Sequence, residues 1–460
     1  MWSACSRPWL AAVALVASAC LPDTGGIEPP SDRLIFPVGL ATTPSDNFLL
    51  AVNSNFNLRY NAGTLVALDL SVLDEHLASA LDGPGVYYST ECGEDGVSAP
   101  SQDDQYCFVD DGSLILEEET LRIGAFASDL ELTPSGDRAV IPVRGERAIQ
   151  LVDVDETGPD VISCGEGADL RCDSAHQVTS NSTHTLPIEP YEIAVTELEE
   201  TDPGGGSTPV TLGFATHLAG GEVSLFSISR GEPGSPVQAE LLSVLDGVVG
   251  GASGIASFEN EVYVAGRHDA TPHVAVLEVL TDSENGSYTS NPWFNQTDHI
   301  DLVTEMYAGT DARGIAVSPD GSLAFLATRT PDALLKIDLK SLQLIDQTTV
   351  CLDPSVVATY VYDGLTPGYP DDDTLYAFVL CFLTGQTYVV DTRLMQVEVR
   401  ATGSGPQAIA FDDTRRLVYI ANFSESNITV LQAVPPFSQL KDASGRVVRI
   451  GEPRRSKSND

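Results

Sequence analysis

Residues 312–336 read ARGIAVSPDGSLAFLATRTPDALLK, and residues 406–430 read PQAIAFDDTRRLVYIANFSESNITV. The two stretches align without a gap, 94 residues apart. Each opens on an apolar run (Gly314 to Val317; Ala408 to Phe411) that ends in a polar turn. A second run follows (Leu323 to Ala327; Leu417 to Ala421), then a polar loop and a third run (Leu334 to Ile337; Ile428 to Leu431). Short apolar runs punctuated by Pro, Asp and Gly describe strand, turn and strand rather than helix. Ser318-Pro319-Asp320-Gly321 suits a tight turn, because proline presets φ and glycine accepts a positive one.

The same unit recurs five more times. The first copy takes in Pro37 to Pro44, Phe48 to Asn53 and Thr64 to Asp69, and the second Leu130 to Pro134, Ala139 to Val143 and Ala148 to Asp153. The third takes in Tyr191 to Val195, Val210 to Thr216 and Glu222 to Phe226, and the fourth Gly254 to Ser257, Val262 to Ala265 and His273 to Leu277. The sixth, Val356 to Tyr362, Leu375 to Leu380 and Thr387 to Asp391, is the most degraded. Fourth strands are expected at Ile123 to Phe126, Gln347 to Val350, Val397 to Arg400 and Arg446 to Ile450. Seven units of four short antiparallel strands, with almost no helix between them, predict an all-β chain: a seven-bladed β-propeller over residues 36–452. One helix is expected, from an N-cap at Ser71 to Leu81.

The N-terminus gives an address. Arg7 precedes an apolar run from Trp9 to Val16, too short to span a bilayer and of the form of an export signal over residues 1–19. Its end, Ala17-Ser18-Ala19-Cys20, resembles a bacterial lipoprotein processing box in which Cys20 is lipidated. The other reading is an ordinary secretory signal cut after Ala19, leaving Cys20 free. Residues 20–35 are rich in Pro, Gly and acid and read as a flexible tether, and residues 453–460 as a disordered tail. The expected location is the bacterial cell envelope, at the outer membrane on its periplasmic or surface side, with a lipid anchor as the sole membrane attachment. Apart from Cys5 and Cys20, six cysteines remain, which allow fifteen pairings. Sequence neighbours suggest Cys92 with Cys107, Cys164 with Cys172 and Cys351 with Cys381, as suits an oxidising compartment.

Composition narrows the function. The chain is 42% hydrophobic, which excludes wholesale disorder. With 66 Asp+Glu against 24 Lys+Arg its formal net charge is -42, so it repels phosphate backbones and no nucleic-acid partner is expected. There is no Cys-x-x-Cys, no Gly-x-Ser-x-Gly, no His-Glu-x-x-His and no Walker loop. The acidic runs Asp103-Asp104 and Asp371-Asp372-Asp373 lack the spacing of a calcium loop. No cofactor and no metal are expected.

Tyr419-Ile420-Ala421-Asn422, with Val262-Tyr263-Val264-Ala265 and Ser318-Pro319-Asp320-Gly321, resembles the bacterial YVTN-type propeller repeat. That repeat also occurs in 6-phosphogluconolactonase-like propellers and in surface or periplasmic binding proteins. The resemblance implies a fold and no particular reaction.

In a four-stranded blade the A–B and C–D loops leave one face, and the B–C and D–A loops leave the other. Long insertions at residues 71–120, 158–173, 200–208 and 281–298 all fall on the first face. On the other, aligning the second strands on Val52, Pro142, Ala215, Ala265, Ala327, Val379 and Ala421 gives a column two residues further on. It reads Ser54, Arg144, His217, Arg267, Arg329, Cys381 and Phe423. Arg144, His217, Arg267 and Arg329 are the expected ligand-binding residues. They would form a crescent for an anion, carboxylate or phosphate. Alternatively each pairs with a nearby acid such as Asp129, Glu192, Asp269 or Asp311. The expected function is a non-catalytic binding or scaffolding platform for an envelope protein, a glycan or a small anion. The alternative is a lactonase-like hydrolase holding a sugar acid at this cationic rim, with His217 as its one nominated base.

Overall fold

The computed structural model describes residues 26–77, 92–93, 98–102, 104–109, 114–165, 171–201, 207–228, 239–268, 272–280, 293–364 and 373–451. The signal (1–19), Cys20 and the tail (453–460) lie outside these residues, as do Asp103, Asp269, Asp371 and Asp372.

Seven antiparallel sheets follow one another along the chain. Blade 1 is Pro37–Thr42, Phe48–Asn53, Gly63–Asp69 and Leu121–Ile123; blade 2 is Glu131–Leu132, Arg138–Val143, Ala148–Val154 and the paired ends Ile162–Ser163 and Gln177–Val178. Blade 3 is Pro190–Thr201, Ser207–His217, Val223–Ile228 and Ala239–Leu245; blade 4 is Ala252–Phe258, Glu261–Gly266, His273–Leu280 and Trp293–Asp301. Blade 5 is Thr310–Val317, Leu323–Thr330, Asp332–Asp338 and Gln343–Thr349; blade 6 is Pro354–Tyr362, Thr374–Cys381, Gln386–Asp391 and Gln396–Ala401. Blade 7 begins Pro406–Asp412, Leu417–Asn422, Asn427–Gln432 and Val447–Ile450.

Second strands are buried along nearly their whole length; Leu417–Asn422 is buried throughout. That is why they read as unbroken apolar runs: each blade is covered on both faces. Seven apolar clusters fill the gaps between neighbouring blades, and each draws on two consecutive blades. Leu50 and Val52 of blade 1 meet Ile141 and Val143 of blade 2. Val140 and Ile149 meet Phe226 of blade 3, and Phe214 meets Val264 of blade 4. Tyr263 meets Leu326 of blade 5, Phe325 meets Val379 of blade 6, and Phe378 meets Ile420 of blade 7. Tyr419 of blade 7 then meets Leu49 and Val66 of blade 1, which closes the ring.

Closure has a second component that the sequence did not suggest. The insertion after the third strand of blade 1 crosses to blade 7, where its segments Tyr106–Val109 and Ser98–Pro100 extend that sheet to six strands. Tyr106 to Val109 run parallel to Val447 to Ile450. Arg415 grips Asp74 of the same insertion with two nitrogens, at 2.7 and 2.8 Å, and Arg446 Nε lies 2.6 Å from Asp104. The insertion's helix is Leu70–Leu77. Its cap is Asp69, whose carboxylate accepts from Ser71 N, so Ser71 is inside the helix rather than ahead of it. Residues 78–81, expected to continue it, are outside the described residues. The fourth strand of blade 1 ends at Ile123, freeing Phe126 for the loop; of the expected loop at 200–208, Glu200 pairs with Thr208 and Thr201 with Ser207 as continuations of the blade 3 strands, and residues 202–206 lie outside the described residues. All three disulfides join the expected partners.

Candidate functional site

The B–C and D–A loops form one rim, and a single backbone device recurs in it seven times. Phe36, Glu189, Gly251, Asp353 and Gly405, each just before a first strand, Asp311 in the second position of one and Phe126 five residues ahead of another, all have φ between 50° and 71°. Each precedes Pro or Ala, and in six blades a bulge follows at once. A left-handed conformation is cheap for Gly, tolerable for Asp, and costs a bulky residue on the order of 1 kcal/mol or more. Phe36, Phe126 and Glu189 hold it nevertheless.

Strand register corrects the rim column. Asn53, Val143, His217, Gly266, Thr328, Cys381 and Asn422 are the residues facing the first-strand starts. The column one residue further on is therefore Ser54, Arg144, Leu218, Arg267, Arg329, Phe382 and Phe423. In blades 3 and 6 the column read from the sequence falls one residue short. His217 is accordingly a strand residue, fully buried, with Nε2 2.7 Å from Ser224 Oγ and Nδ1 3.2 Å from the Ile188 carbonyl. Burial pulls its pKa down to about 4. It does not reach the rim and does not join the arginines.

The arginines do share the rim. Arg144 Nη2 lies 3.4 Å from Glu189, ahead of blade 3, and its guanidinium stands over the Tyr191 ring at 5.8 Å. Arg329 Nε lies 2.5 Å from Asp353, ahead of blade 6. The rule in both is that the arginine of one blade takes the left-handed acid ahead of the next. For Arg267 of blade 4 that acid is Asp311. Yet Asp311 is held at 2.7 Å by Arg313, which the sequence column did not include. Arg267 makes no ion pair among the described residues, and its Nε is buried without a hydrogen-bond partner. Burial lowers the pKa of Arg267 and of Arg329, and the nearby charge of Arg313 lowers both further. Of the acids proposed from the sequence, Asp129 accepts from Leu130 N and Ile193 N and Glu192 from Ile255 N, Asp311 is taken by Arg313, and Asp269 lies outside the described residues.

Those acids line the channel beneath the rim, a cavity of about 200 Å³ walled by the innermost strands. Burial pushes Asp129 up to about 6. It pushes Glu131, with the Asp129 charge beside it, to about 8, although that side chain stands open to the channel. Glu192 is raised well above its ordinary range for the same two reasons.

Opposite the arginines the rim is aromatic. Phe56 packs against Phe36, Phe126 and Phe423 with ring centres 6.4, 6.1 and 5.4 Å away, and Phe382 meets Phe423 at 5.8 Å. Phe56, Leu58, Leu352 and Leu383, all in rim loops, are more than half exposed. This sector was missed because Phe36 and Phe126 sit in the left-handed column. The sequence marks that column only by the Pro or Ala that follows it.

No family model and no curated protein matches the chain. Solved structures similar to it include Sqt1 from Chaetomium thermophilum bound to the N-terminus of the ribosomal protein L10. It is 12% identical with a TM-score of 0.48, covering 88% of this chain and 86% of that one. A protein from Lactobacillus plantarum is 12% identical with a TM-score of 0.46, over 81% and 86% of the two chains. The hydrazine synthase of Kuenenia stuttgartiensis is 13% identical with a TM-score of 0.35, over 87% and 96%. The likeness extends to the fold alone.

Proposed function

We propose that the chain is an exported lipoprotein whose propeller is a non-catalytic binding platform at the bacterial cell envelope, with the rim as its docking face. The observation that carries this reading is Arg267: in a chain of net charge -42, it is a rim cation with no ion pair among the described residues. A carboxylate or phosphate placed there gains a charge-assisted hydrogen bond and relieves the repulsion from Arg313. The N-terminal segment joins the ring on the rim side, where Ile27 O accepts from Asn61 N and Glu28 pairs with Arg122. Gly26 is six residues beyond Cys20. At about 3.5 Å per extended residue, an acyl anchor at Cys20 would hold the rim within about 20 Å of the bilayer.

Two measurements test the proposal. Palmitate labelling lost in Cys20→Ala supports the address, and unlabelled wild type overturns it. Calorimetric titration with citrate supports the docking face if binding is lost in Arg267→Ala and kept in Leu394→Ala, an exposed residue in a C–D turn. The hydrolase reading needs a base beside the arginines. His217, the base nominated for it, is enclosed in blade 3 and titrates near 4.

A further inference from the structure

Resting on the rim as the docking face, we infer that its occupant is an extended polypeptide segment presenting a carboxylate side chain and, further along, a large apolar one. Two sectors of different chemistry meet on this face. In the cationic sector Arg313 holds Asp311, and Arg267 beside them makes no ion pair among the described residues. The apolar sector begins where the cationic one ends: Arg144 N donates to the Phe126 carbonyl, and the Phe126 ring packs on Phe56. From there it runs through Phe423 to Phe382 and reaches solvent at Phe56, Leu58 and Leu383.

A small anion satisfies Arg267 and leaves this apolar surface wet. A sugar acid stacks on one ring, but Leu58, Leu352 and Leu383 are aliphatic and offer it no stacking face. A polypeptide covers both sectors, since an extended segment laid across the rim advances about 3.5 Å per residue and can carry a carboxylate to Arg267 and an apolar side chain to the Phe56 cluster. Charge complementarity sets its sign. Elsewhere the acidic chain repels an acidic segment, so attraction is confined to the rim. The energetic centre is the aromatic anchor together with Arg267, in line with the enrichment of aromatic and Arg side chains in interface hot spots.

The probe is a fluorescein-labelled Glu-Phe-Glu-Phe-Glu-Phe peptide, followed by anisotropy on the full chain. Gln-Phe-Gln-Phe-Gln-Phe and Glu-Ala-Glu-Ala-Glu-Ala serve as controls, and citrate is titrated in parallel. The expected result is that both controls bind at least tenfold more weakly than the probe. Arg267→Ala should abolish the preference for Glu over Gln, and Phe56→Ala the preference for Phe over Ala, with melting temperatures unchanged. Equal binding of the Phe and Ala peptides, with citrate binding still dependent on Arg267, overturns the polypeptide inference and leaves the platform standing. Loss of both peptide and citrate binding in the wild type overturns both.

Discussion

Arg313 Nη2 stands 2.7 Å from Asp311 Oδ1, and this ion pair leaves Arg267 without the partner that its counterparts in blades 2 and 5 possess. The three residues form a switchable set. In Arg313→Ala, Asp311 is released to pair with Arg267, so rim affinity for citrate should fall although Arg267 itself is intact. A drop of about tenfold corresponds to about one charge-assisted hydrogen bond. Asp311→Asn should raise affinity instead. Calorimetry on the two variants checks both directions.

The insertion that completes blade 7 should be indispensable to the closed ring. Arg415 is nearly buried and holds Asp74 of the insertion and the fully buried Asp412 together. Arg415→Ala removes the bidentate grip and strands Asp412 with only the Tyr419 hydroxyl and backbone donors. Breaking one side of such a pair costs about 3 kcal/mol or more. Urea unfolding should register that loss. Asp104→Ala, which removes the exposed partner of Arg446, should cost far less, because that pair is screened by solvent.

Stability should depend on pH in two opposed ways. The folded His217 titrates near 4 against an ordinary 6.5. Between those values the unfolded chain takes up a proton that the folded chain refuses, so His217 withdraws up to about 3 kcal/mol of stability as pH falls from about 6.5 to about 4. Asp129 and Glu131 act oppositely. Raised to about 6 and about 8, they keep protons that the unfolded chain releases, and their contribution is lost as pH rises through those values. Thermal melts should show His217→Gln losing less stability than wild type between pH 7 and pH 4, and Glu131→Gln losing less between pH 7 and pH 9. Curves parallel to wild type contradict both assignments.

Disulfide removal should scale with the loop each bond closes. Cys351 and Cys381 are 30 residues apart, whereas Cys164 and Cys172 are 8 apart. Loop-closure entropy assigns the two bonds about 3.5 and 2.5 kcal/mol. Double Cys→Ala variants compared by urea unfolding should preserve that order.

The ring was legible in the sequence because its turns are chemically marked. Ser318-Pro319-Asp320-Gly321 and its equivalents punctuate the apolar runs, and seven punctuated units leave few other architectures open. The rim was legible only in part. Val210 to Thr216 and Leu375 to Leu380 carry no internal marker of register, so a one-residue slip put His217 beside the arginines. The bulge near the first-strand start in six blades hid the correct register, since it consumes a residue without a matching one opposite. Arg313 and the phenylalanine sector were lost with it. The closure by Tyr106–Val109 pairs residues more than 300 positions apart, and no local pattern encodes such a parallel match.

The docking face is tested most directly by mapping bound citrate on the isotopically labelled chain through backbone amide shifts. Saturable changes should cluster at Arg144, Tyr191, Arg267, Arg313 and Arg329 and vanish in Arg267→Ala. Changes centred on the outer cleft of His299 and Met306, or rim changes that survive Arg267→Ala, would contradict it.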